Sequence, residues 1–364
     1  MTDIDFLAPL RDAGALFAEE HSDLTTQLVS GLPADNLGVL HFGDSNHEYE
    51  TAGESTVLFY LSGQTQIEIT GEDRASFVHN FCTNDIQKLQ PGESCEAFIT
   101  NVKGRVLGHI FIFAGTDSLR LITVPGQAQQ LLAHLDRYII TEDVTLTDRT
   151  AETFFLYASG PNSTDQMQSC HLSISEMTAG SHGNYGTETF VGRVDWLNEP
   201  GYLIGIPAKR FAGLWPRLID AGFRPAGSAA FHRLRIEAGF PWYGVDIDAE
   251  NLPQEVARTE KTISFTKGCY LGQEPIARLD AMGHVNRELC TLELLESGFA
   301  VAGSVIHSMD DEREIGRITS TARTTVDSPC VSLAYLRTSH LKPDAIFSVE
   351  IEGQRVSARQ LLRG

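Results

Sequence analysis

The 364-residue chain carries 48 acidic and 28 basic residues, which gives a net charge of −20 at pH 7. This charge argues against bulk binding to nucleic acids and anionic membranes, because both need many cations. No apolar run approaches the roughly 20 residues that span a bilayer, and the first twenty residues lack the basic start and apolar core of a secretory signal. The six cysteines show no CxxC spacing, as is typical of a reducing compartment. We therefore expect a cytoplasmic protein that does not contact membranes.

The first part of the chain mixes helical and strand patterns without strict βαβα alternation, which favours an α+β fold. Apolar periodicity predicts, in order, a helix over residues 5–19, strands over 37–42, 56–61 and 64–70, a helix over 72–81, a hairpin of strands over 105–114 and 118–124, a helix over 127–140, and strands over 144–147 and 153–158. Residues 160–186 are rich in Ser, Gly, Asn and Thr, so we predict a loop there.

The second part changes character twice. The pattern predicts a strand over 202–206, helices over 210–221 and 228–238, an irregular stretch over 239–261, a β-like run over 262–265 and a helix over 275–281 that ends at Gly283. Four alternating runs follow, over 285–295, 313–321, 330–336 and 346–352. Short strands separated by Gly, Asp, Ser and Pro are typical of a small β-barrel or sandwich.

One short stretch in this part has the features of a reactive site. It reads Lys267-Gly268-Cys269-Tyr270-Leu271-Gly272-Gln273-Glu274. Cys269 lies on a glycine-flanked loop just before a helix, where Lys267 and the helix dipole both favour a thiolate. The alternative is a small buried cysteine in a tight turn. The chain has no P-loop, no GxGxxG after a strand, no HExxH and no GxSxG, so residue patterns alone indicate no reaction.

These eight residues resemble the K-G-C-Y/F-x-G-Q-E signature of YgfZ-type folate-binding proteins, which are paralogues of the glycine-cleavage T-protein, an aminomethyltransferase. Further segments resemble the same superfamily: Gly71-Glu72-Asp73-Arg74, Thr83-Asn84-Asp85, Arg235-Ile236-Glu237-Ala238-Gly239-Phe240-Pro241, Leu252-Pro253-Gln254-Glu255 and Ile315-Gly316-Arg317-Ile318-Thr319-Ser320. The resemblance implies three domains in a ring around a central folate channel: two α+β domains with interleaved segments and a C-terminal β-barrel. We place the domains at residues 1–150, 151–284 and 285–364.

The resemblance also implies a function. Aminomethyltransferases have an aspartate beside the folate nitrogen that receives the one-carbon unit, where this chain has Gly108 and His109. We therefore expect a tetrahydrofolate-binding accessory protein that supports iron–sulfur cluster assembly or repair, including enzymes that modify tRNA. Its expected partners are iron–sulfur proteins or their assembly machinery. The alternatives are a folate-dependent aminomethyltransferase or demethylase, and an interaction module with a vestigial pocket, so enzyme activity stays open.

A reduced folate needs a wall for its pterin, a carboxylate for the amino-pyrimidine edge, and cations for its glutamate tail. The candidate residues for these contacts are Glu199, Arg233, Arg235, Glu237, Trp242 and Tyr243. Arg235 has a structural alternative, a buried pair with Asp246, and Glu237 has one as a helix-surface or capping acid.

The candidate thiol site comprises Lys267, Gly268, Cys269, Tyr270, Gly272, Gln273 and Glu274. Cys269 has three candidate roles: a redox-responsive thiol, a transient ligand for iron or a persulfide, and a structural residue. We expect no permanent metal site, because no second cysteine lies at ligand spacing.

Overall fold

The structure is a computed structural model that describes residues 7–32, 37–61, 63–172, 178–185, 188–342 and 345–361. In these ranges the α-helices are α1 (Ala8–Asp12), α2 (Ser22–Leu28), α3 (Ser45–Ala52), α4 (Arg74–His79), α5 (Ala128–Asp136), α6 (Ser163–Ser169), α7 (Ala208–Asp220), α8 (Ser228–Glu237), α9 (Thr259–Thr262) and α10 (Gln273–Met282). The strands are β1 (Leu16–Phe17), β2 (Val29–Ser30), β3 (Val39–His41), β4 (Val57–Leu61), β5 (Thr65–Thr70), β6 (Ser94–Thr100), β7 (Val106–Ala114), β8 (Ser118–Thr123), β9 (Thr145–Asp148), β10 (Thr153–Ser159), β11 (His182–Tyr185), β12 (Thr189–Arg193), β13 (Gly201–Pro207), β14 (Arg224–Ala226), β15 (Arg287–Leu294), β16 (Val305–Ser308), β17 (Glu314–Ala322), β18 (Val331–Arg337), β19 (Ile346–Ile351) and β20 (Gln354–Leu361).

The first sheet has five strands in the order β6-β7-β8-β5-β9, and every neighbouring pair is antiparallel. Alternation along β5 buries Ile67 and Ile69, which pack with Leu131 and Leu135 of α5. The helix and the sheet thus share one apolar layer.

The second sheet has six strands in the order β11-β12-β13-β10-β4-β14. Its strand β4 precedes the first sheet in the chain, yet it pairs with β10 and, in parallel, with β14. Segments from before and after residue 150 therefore mix in this sheet. The predicted domain boundaries themselves stay a prediction.

The C-terminal strands close into a barrel. Six strands follow the order β16-β19-β20-β15-β18-β17, and β16 pairs back with β17 to complete the ring. The short strand β2 adds to the outside of β17. The predicted α+β class with a C-terminal β-barrel is therefore confirmed.

A single apolar cluster joins the facing sides of the two sheets. Aromatic residues dominate it: Phe59, Phe111, Phe113, Phe155, Tyr157, Phe190, Trp196, Phe231, Phe240 and Trp242. The last two come from the predicted irregular stretch, which holds no α-helix or strand until α9. This stretch runs from α8 past the aromatic cluster and toward the barrel.

Three local predictions were wrong. The predicted helix over 5–19 ends at Asp12, because Gly14 adopts φ +86° and the chain continues into β1; its first two predicted residues lie outside the described ranges. The predicted loop over 160–186 contains α6 and β11. The β-like run over 262–265 forms no strand: Thr262 ends α9, where its hydroxyl donates to the Arg258 carbonyl at 2.8 Å, and residues 263–265 belong to no helix or strand.

Candidate functional site

Lys267 ties the cysteine loop to the N-terminal part of the chain. Its buried ammonium donates to the carbonyl oxygens of His79 at 2.6 Å, Cys82 at 2.7 Å and Asn84 at 2.9 Å. The same nitrogen lies 4.7 Å from the centre of the Tyr270 ring. All three ammonium protons are thus used to hold the turn after α4. Lys267 therefore fixes the loop to this turn, through partners that the sequence did not reveal.

The glycines of this loop allow close backbone contact. Gly272 adopts φ +83° as the N-cap of α10, and a Cβ atom there would lie 2.3 Å from the Asn101 carbonyl oxygen. The Thr100 hydroxyl also donates to the Leu271 carbonyl at 2.6 Å. Gly283 caps the other end of α10 with φ +74°, as predicted. The loop is therefore fixed at both sides of Cys269.

Cys269 itself is exposed, which excludes the alternative of a small buried cysteine. All six cysteines are described, and Cys82, Cys290 and Cys330 are buried. Burial raises the pKa of Cys82 and of Cys330 to about 11, so these thiols stay protonated near neutral pH. Glu274 is exposed and Gln273 is half-buried next to the thiol. The loop thus presents one accessible thiol on a fixed backbone.

Arg235 forms the buried ion pair with Asp246 that was predicted as the alternative to folate binding. Its guanidinium donates to Asp246 at 2.7 Å, and both side chains are fully buried. The second oxygen of Asp246 accepts the hydroxyl of Ser320 at 2.7 Å, from the barrel. Burial, with Arg235 nearby, lowers the pKa of His232 well below its usual value, so its neutral ring accepts from Arg235 Nε at 2.7 Å. Arg235 therefore links α8 to the barrel.

Arg233 and Glu237 pair with each other one turn apart on α8, at 2.7 Å. The Tyr49 hydroxyl donates to Glu237 at 3.1 Å, and Arg233 also donates to the Pro329 carbonyl. Tyr243 is buried beside Phe98 and Val106 of the first sheet. None of these three candidate folate residues lines the cavity that contains Glu199.

That cavity is open, polar and about 340 Å³ in volume. The turn between β12 and β13 forms one wall, with Arg193, Asp195, Trp196 and Glu199; Ala238, Arg258 and Lys261 form the other. Arg193 and Asp195 pair at 2.9 Å. The Glu199 carboxylate accepts no hydrogen bond from a described residue, so it is available to a ligand. The cavity thus combines a free carboxylate, several cations and one aromatic wall.

Trp196 closes the inner end of this cavity. Its indole stacks on Tyr157 at 5.0 Å and on Phe240 at 5.5 Å, measured between ring centroids. The indole nitrogen is buried and has no hydrogen-bond partner in the described part of the chain. Sequence analysis missed Trp196, although it precedes Glu199 by only three residues in the same turn.

Two small cavities of about 10 Å³ each lie farther inside. His109, Trp196 and Trp242 line one of these cavities, and Trp242 also lines the other. A space of this size holds about one water molecule. The interior that the resemblance implies as a channel is therefore filled by aromatic side chains next to His109.

His109 belongs to a buried cluster of ionisable groups. Its Nε2 lies 2.6 Å from the Glu96 carboxylate on the neighbouring strand β6. Arg258 binds the same carboxylate through two nitrogens, at 2.5 and 2.6 Å, and its guanidinium lies over Phe240. Burial alone would raise the pKa of Glu96, but Arg258 and then His109 outweigh it and hold the pKa well below its usual value. The carboxylate is therefore ionised and fully paired.

Gly108, next to His109, leaves little room for a side chain. A Cβ atom there would lie 3.0 Å from a methyl group of Leu131. Sequence analysis identified the missing acid at Gly108 and His109 but missed Glu96 and Arg258. These two residues lie 162 positions apart, and no sequence pattern connects them.

A larger groove of about 790 Å³ lies between residues 245–251 and the barrel. Its charged groups are mostly paired, since Arg287 binds Glu255 at 3.1 Å and Arg317 binds Glu314 at 2.8 Å. No three His, Cys, Asp or Glu side chains of the described residues are grouped to hold a metal ion. Among the described helices, none has the length and apolar character required to cross a membrane.

Comparison with known proteins assigns the class. The model of the GCVT N-terminal domain matches residues 39–267, more than half of the chain, so this protein belongs to the GCVT family. Among its relatives are a putative chloroplastic transferase of Arabidopsis thaliana, 29% identical over 83% of this chain and 70% of the relative, and an aminomethyltransferase of Herpetosiphon aurantiacus, 28% identical over 85% and 87%. The crystal structure of the glycine cleavage system aminomethyltransferase T of Bartonella henselae matches with a TM-score of 0.85 and 19% identity, over 98% and 96% of the two chains. That likeness confirms the T-protein fold. The cellular location stays a prediction.

Proposed function

We propose that this protein is a YgfZ-type folate-binding accessory protein that supports iron–sulfur cluster assembly or repair, including enzymes that modify tRNA. One observation carries the proposal: Cys269 is exposed on a loop that Lys267 fixes through three carbonyl contacts. A thiol held in this way can react with an oxidant, a persulfide or an iron ion of a client protein. The expected partners are therefore iron–sulfur proteins or their assembly machinery.

The cavity beside Glu199 supports tetrahydrofolate or a derivative as the ligand. Its 340 Å³ fall within the roughly 300–1,000 Å³ of small-molecule sites. Glu199 offers a carboxylate to the amino-pyrimidine edge, and Lys261 and Arg193 offer cations to the tail carboxylates. A bound tetrahydrofolate would supply one-carbon chemistry, while these residues bind and orient it. Arg233, Arg235, Glu237, Trp242 and Tyr243 do not line this cavity.

Gly108 supports binding without aminomethyl transfer. Neither Gly108 nor His109 offers a carboxylate, and Glu96, which contacts His109, is engaged by Arg258 as well. A carboxylate in two buried contacts of this kind is a poor proton acceptor, because its pKa is held low.

Ligand binding is tested by titrating the purified protein with tetrahydrofolate under anaerobic conditions and measuring heat. We expect saturable binding, a loss of about tenfold or more in Glu199→Gln because a charged hydrogen bond is removed, and no change in Glu54→Gln, an exposed control. Absence of saturable binding to the wild type would refute the folate part of the proposal.

The thiol is tested in cells that lack the native protein. Complementation with Cys269→Ala should leave iron–sulfur enzyme activity low, most clearly under oxidative stress, whereas Cys170→Ala should restore it. Equal rescue by both variants, at equal protein levels, would show that the Cys269 thiol is idle and would favour an interaction module.

The alternative is a folate-dependent aminomethyltransferase or demethylase. The named aminomethyltransferases among the relatives favour it. Turnover of a methylamine donor with tetrahydrofolate as acceptor would establish this activity, and we expect none.

A further inference from the structure

The position of Trp196 is unusual for a core tryptophan. Its ring lies between two nearly parallel aromatic rings, at 13° to Tyr157 on β10 and at 23° to Phe240 after α8. Trp196 itself belongs to neither a helix nor a strand, but to the irregular turn over residues 194–200. Tyr157 and Phe240 thus define a flat slot, and a side chain from a turn fills it.

The polar end of Trp196 has no partner. Buried tryptophans usually donate their N–H to an acceptor, yet this N–H has none in the residues described. On one side the indole borders the open cavity with Glu199, and on the other the small cavity with His109. The ring is therefore the partition between an accessible polar cavity and a closed interior.

We infer that the Trp196 indole fills a slot that can bind a planar bicyclic nitrogen heterocycle. Such a ligand must displace the indole to bind fully. The slot accepts flat rings because both walls are aromatic faces, and offset stacking at about 4.5–7 Å suits any such ring. Beyond the partition, His109 offers an imidazole whose orientation Glu96 fixes at 2.6 Å. Through the proposed function, on which this inference rests for its natural ligand, the heterocycle is a reduced pterin.

The slot itself is tested with indole as the probe, in the full-length chain. Trp196→Gly removes the occupant, and Trp196→Phe keeps an aromatic ring there as the matched control. We expect Trp196→Gly to bind indole saturably in calorimetry and to bind tetrahydrofolate about tenfold more tightly or better than the wild type, because no occupant has to leave first. Wild type and Trp196→Phe should bind no indole. Near-ultraviolet circular dichroism verifies that each variant is folded.

A second measurement needs no cavity-forming variant. The chain has three tryptophans, so 5-fluorotryptophan labelling gives three fluorine resonances, and Trp196→Phe identifies one of them. Tetrahydrofolate should move the Trp196 resonance to the position of a solvent-exposed indole. A bound ligand that leaves this resonance unchanged overturns the inference, as does a folded Trp196→Gly variant that binds no indole.

These outcomes separate the two proposals. If Trp196→Gly binds indole while no form binds tetrahydrofolate, the slot stands and the folate proposal fails. If the wild type binds tetrahydrofolate while Trp196→Gly binds neither indole nor the folate more tightly, the slot inference fails and folate binding stands.

Discussion

Replacing Arg258 by methionine tests the buried cluster at Glu96. The change keeps most of the apolar stem but removes the guanidinium that binds both oxygens of Glu96 at 2.5 and 2.6 Å. Glu96 and Arg258 expose only 8% and 9% of their side chains, so water cannot replace the lost contacts well. A buried charge without its partner typically costs about 3–5 kcal/mol. Against a total stability of about 5–15 kcal/mol, this is a large loss.

The loss should depend on pH in a defined direction. In the wild type the pKa of Glu96 is held well below its usual value, so the pair contributes stability above the ordinary glutamate pKa and loses it only in stronger acid. In Arg258→Met the guanidinium that lowered the pKa of Glu96 is gone, so burial of the carboxyl group raises this pKa. The folded variant then takes up a proton that the unfolded chain does not, so its deficit should shrink as the pH falls from 8 to about 5.

Urea unfolding at several pH values measures both effects. The control is the double variant Glu96→Gln/Arg258→Met, which removes the buried charge as well and should recover about 2–3 kcal/mol of the loss at pH 8. A loss below about 1 kcal/mol, typical of exposed pairs, would refute the reasoning. So would a double variant no more stable than the single one.

Three further predictions concern other parts of the fold. Burial raises the pKa of Glu48 from 4.5 to about 7, although the Glu48 carboxylate accepts from the backbone N–H groups of Phe42 and Gly227. The fold therefore favours the neutral acid. The free energy of unfolding should fall by about 1.4 kcal/mol per pH unit as the pH rises from 4.5 to 7. Thermal melting across this pH range checks it, and Glu48→Gln should flatten the profile. Lys267→Met leaves three buried carbonyls without their donor, so we expect a loss of about 2–4 kcal/mol and faster cleavage of the loop in limited proteolysis, whereas cleavage at the wild-type rate would contradict its anchoring role. Gly108→Asp places a side chain against Leu131 and should lower the free energy of unfolding by about 1–3 kcal/mol. The double variant Gly108→Asp/Leu131→Ala should recover part of this loss, and neither variant should gain aminomethyl transfer. An unchanged melting temperature of Gly108→Asp would contradict the close contact.

Sequence periodicity predicted most elements because their burial follows local patterns. The alternation along β5 and the apolar stripe of α5 each match one buried face. The missed strands lie where contacts between distant parts of the chain determine the secondary structure. Strand β6 escaped prediction although it forms an edge of the first sheet, and β11 forms because β12 is available as an antiparallel partner. Neither partnership can be read from a local window.

The candidate site divides in the same way. The cysteine loop was predictable, because its residues are contiguous and glycines mark its close contacts. The partners of Lys267 were not predictable, because this residue reaches across 183–188 positions to the turn after α4. Arg235 and Asp246 were correctly foreseen as a possible buried pair, and the structure has this pair at 2.7 Å. Of the six candidate folate residues, Glu199 lines the open cavity and Trp242 lines the two small ones, whereas the other four line none of these.

Because a ligand must displace the Trp196 indole, occupancy of the slot and ligand affinity should be coupled. A ligand that binds only when the indole has left has an apparent Kd raised by the inverse of the fraction of molecules in which the slot is open. If the indole occupies the slot in about 99 of 100 molecules, the apparent Kd is about 100-fold weaker than the intrinsic one, or about 2.7 kcal/mol in binding free energy. The ratio of Kd values between the wild type and Trp196→Gly therefore measures that equilibrium directly. A change at Glu199 should weaken both forms by the same factor, because its contact with the ligand is independent of which ring fills the slot.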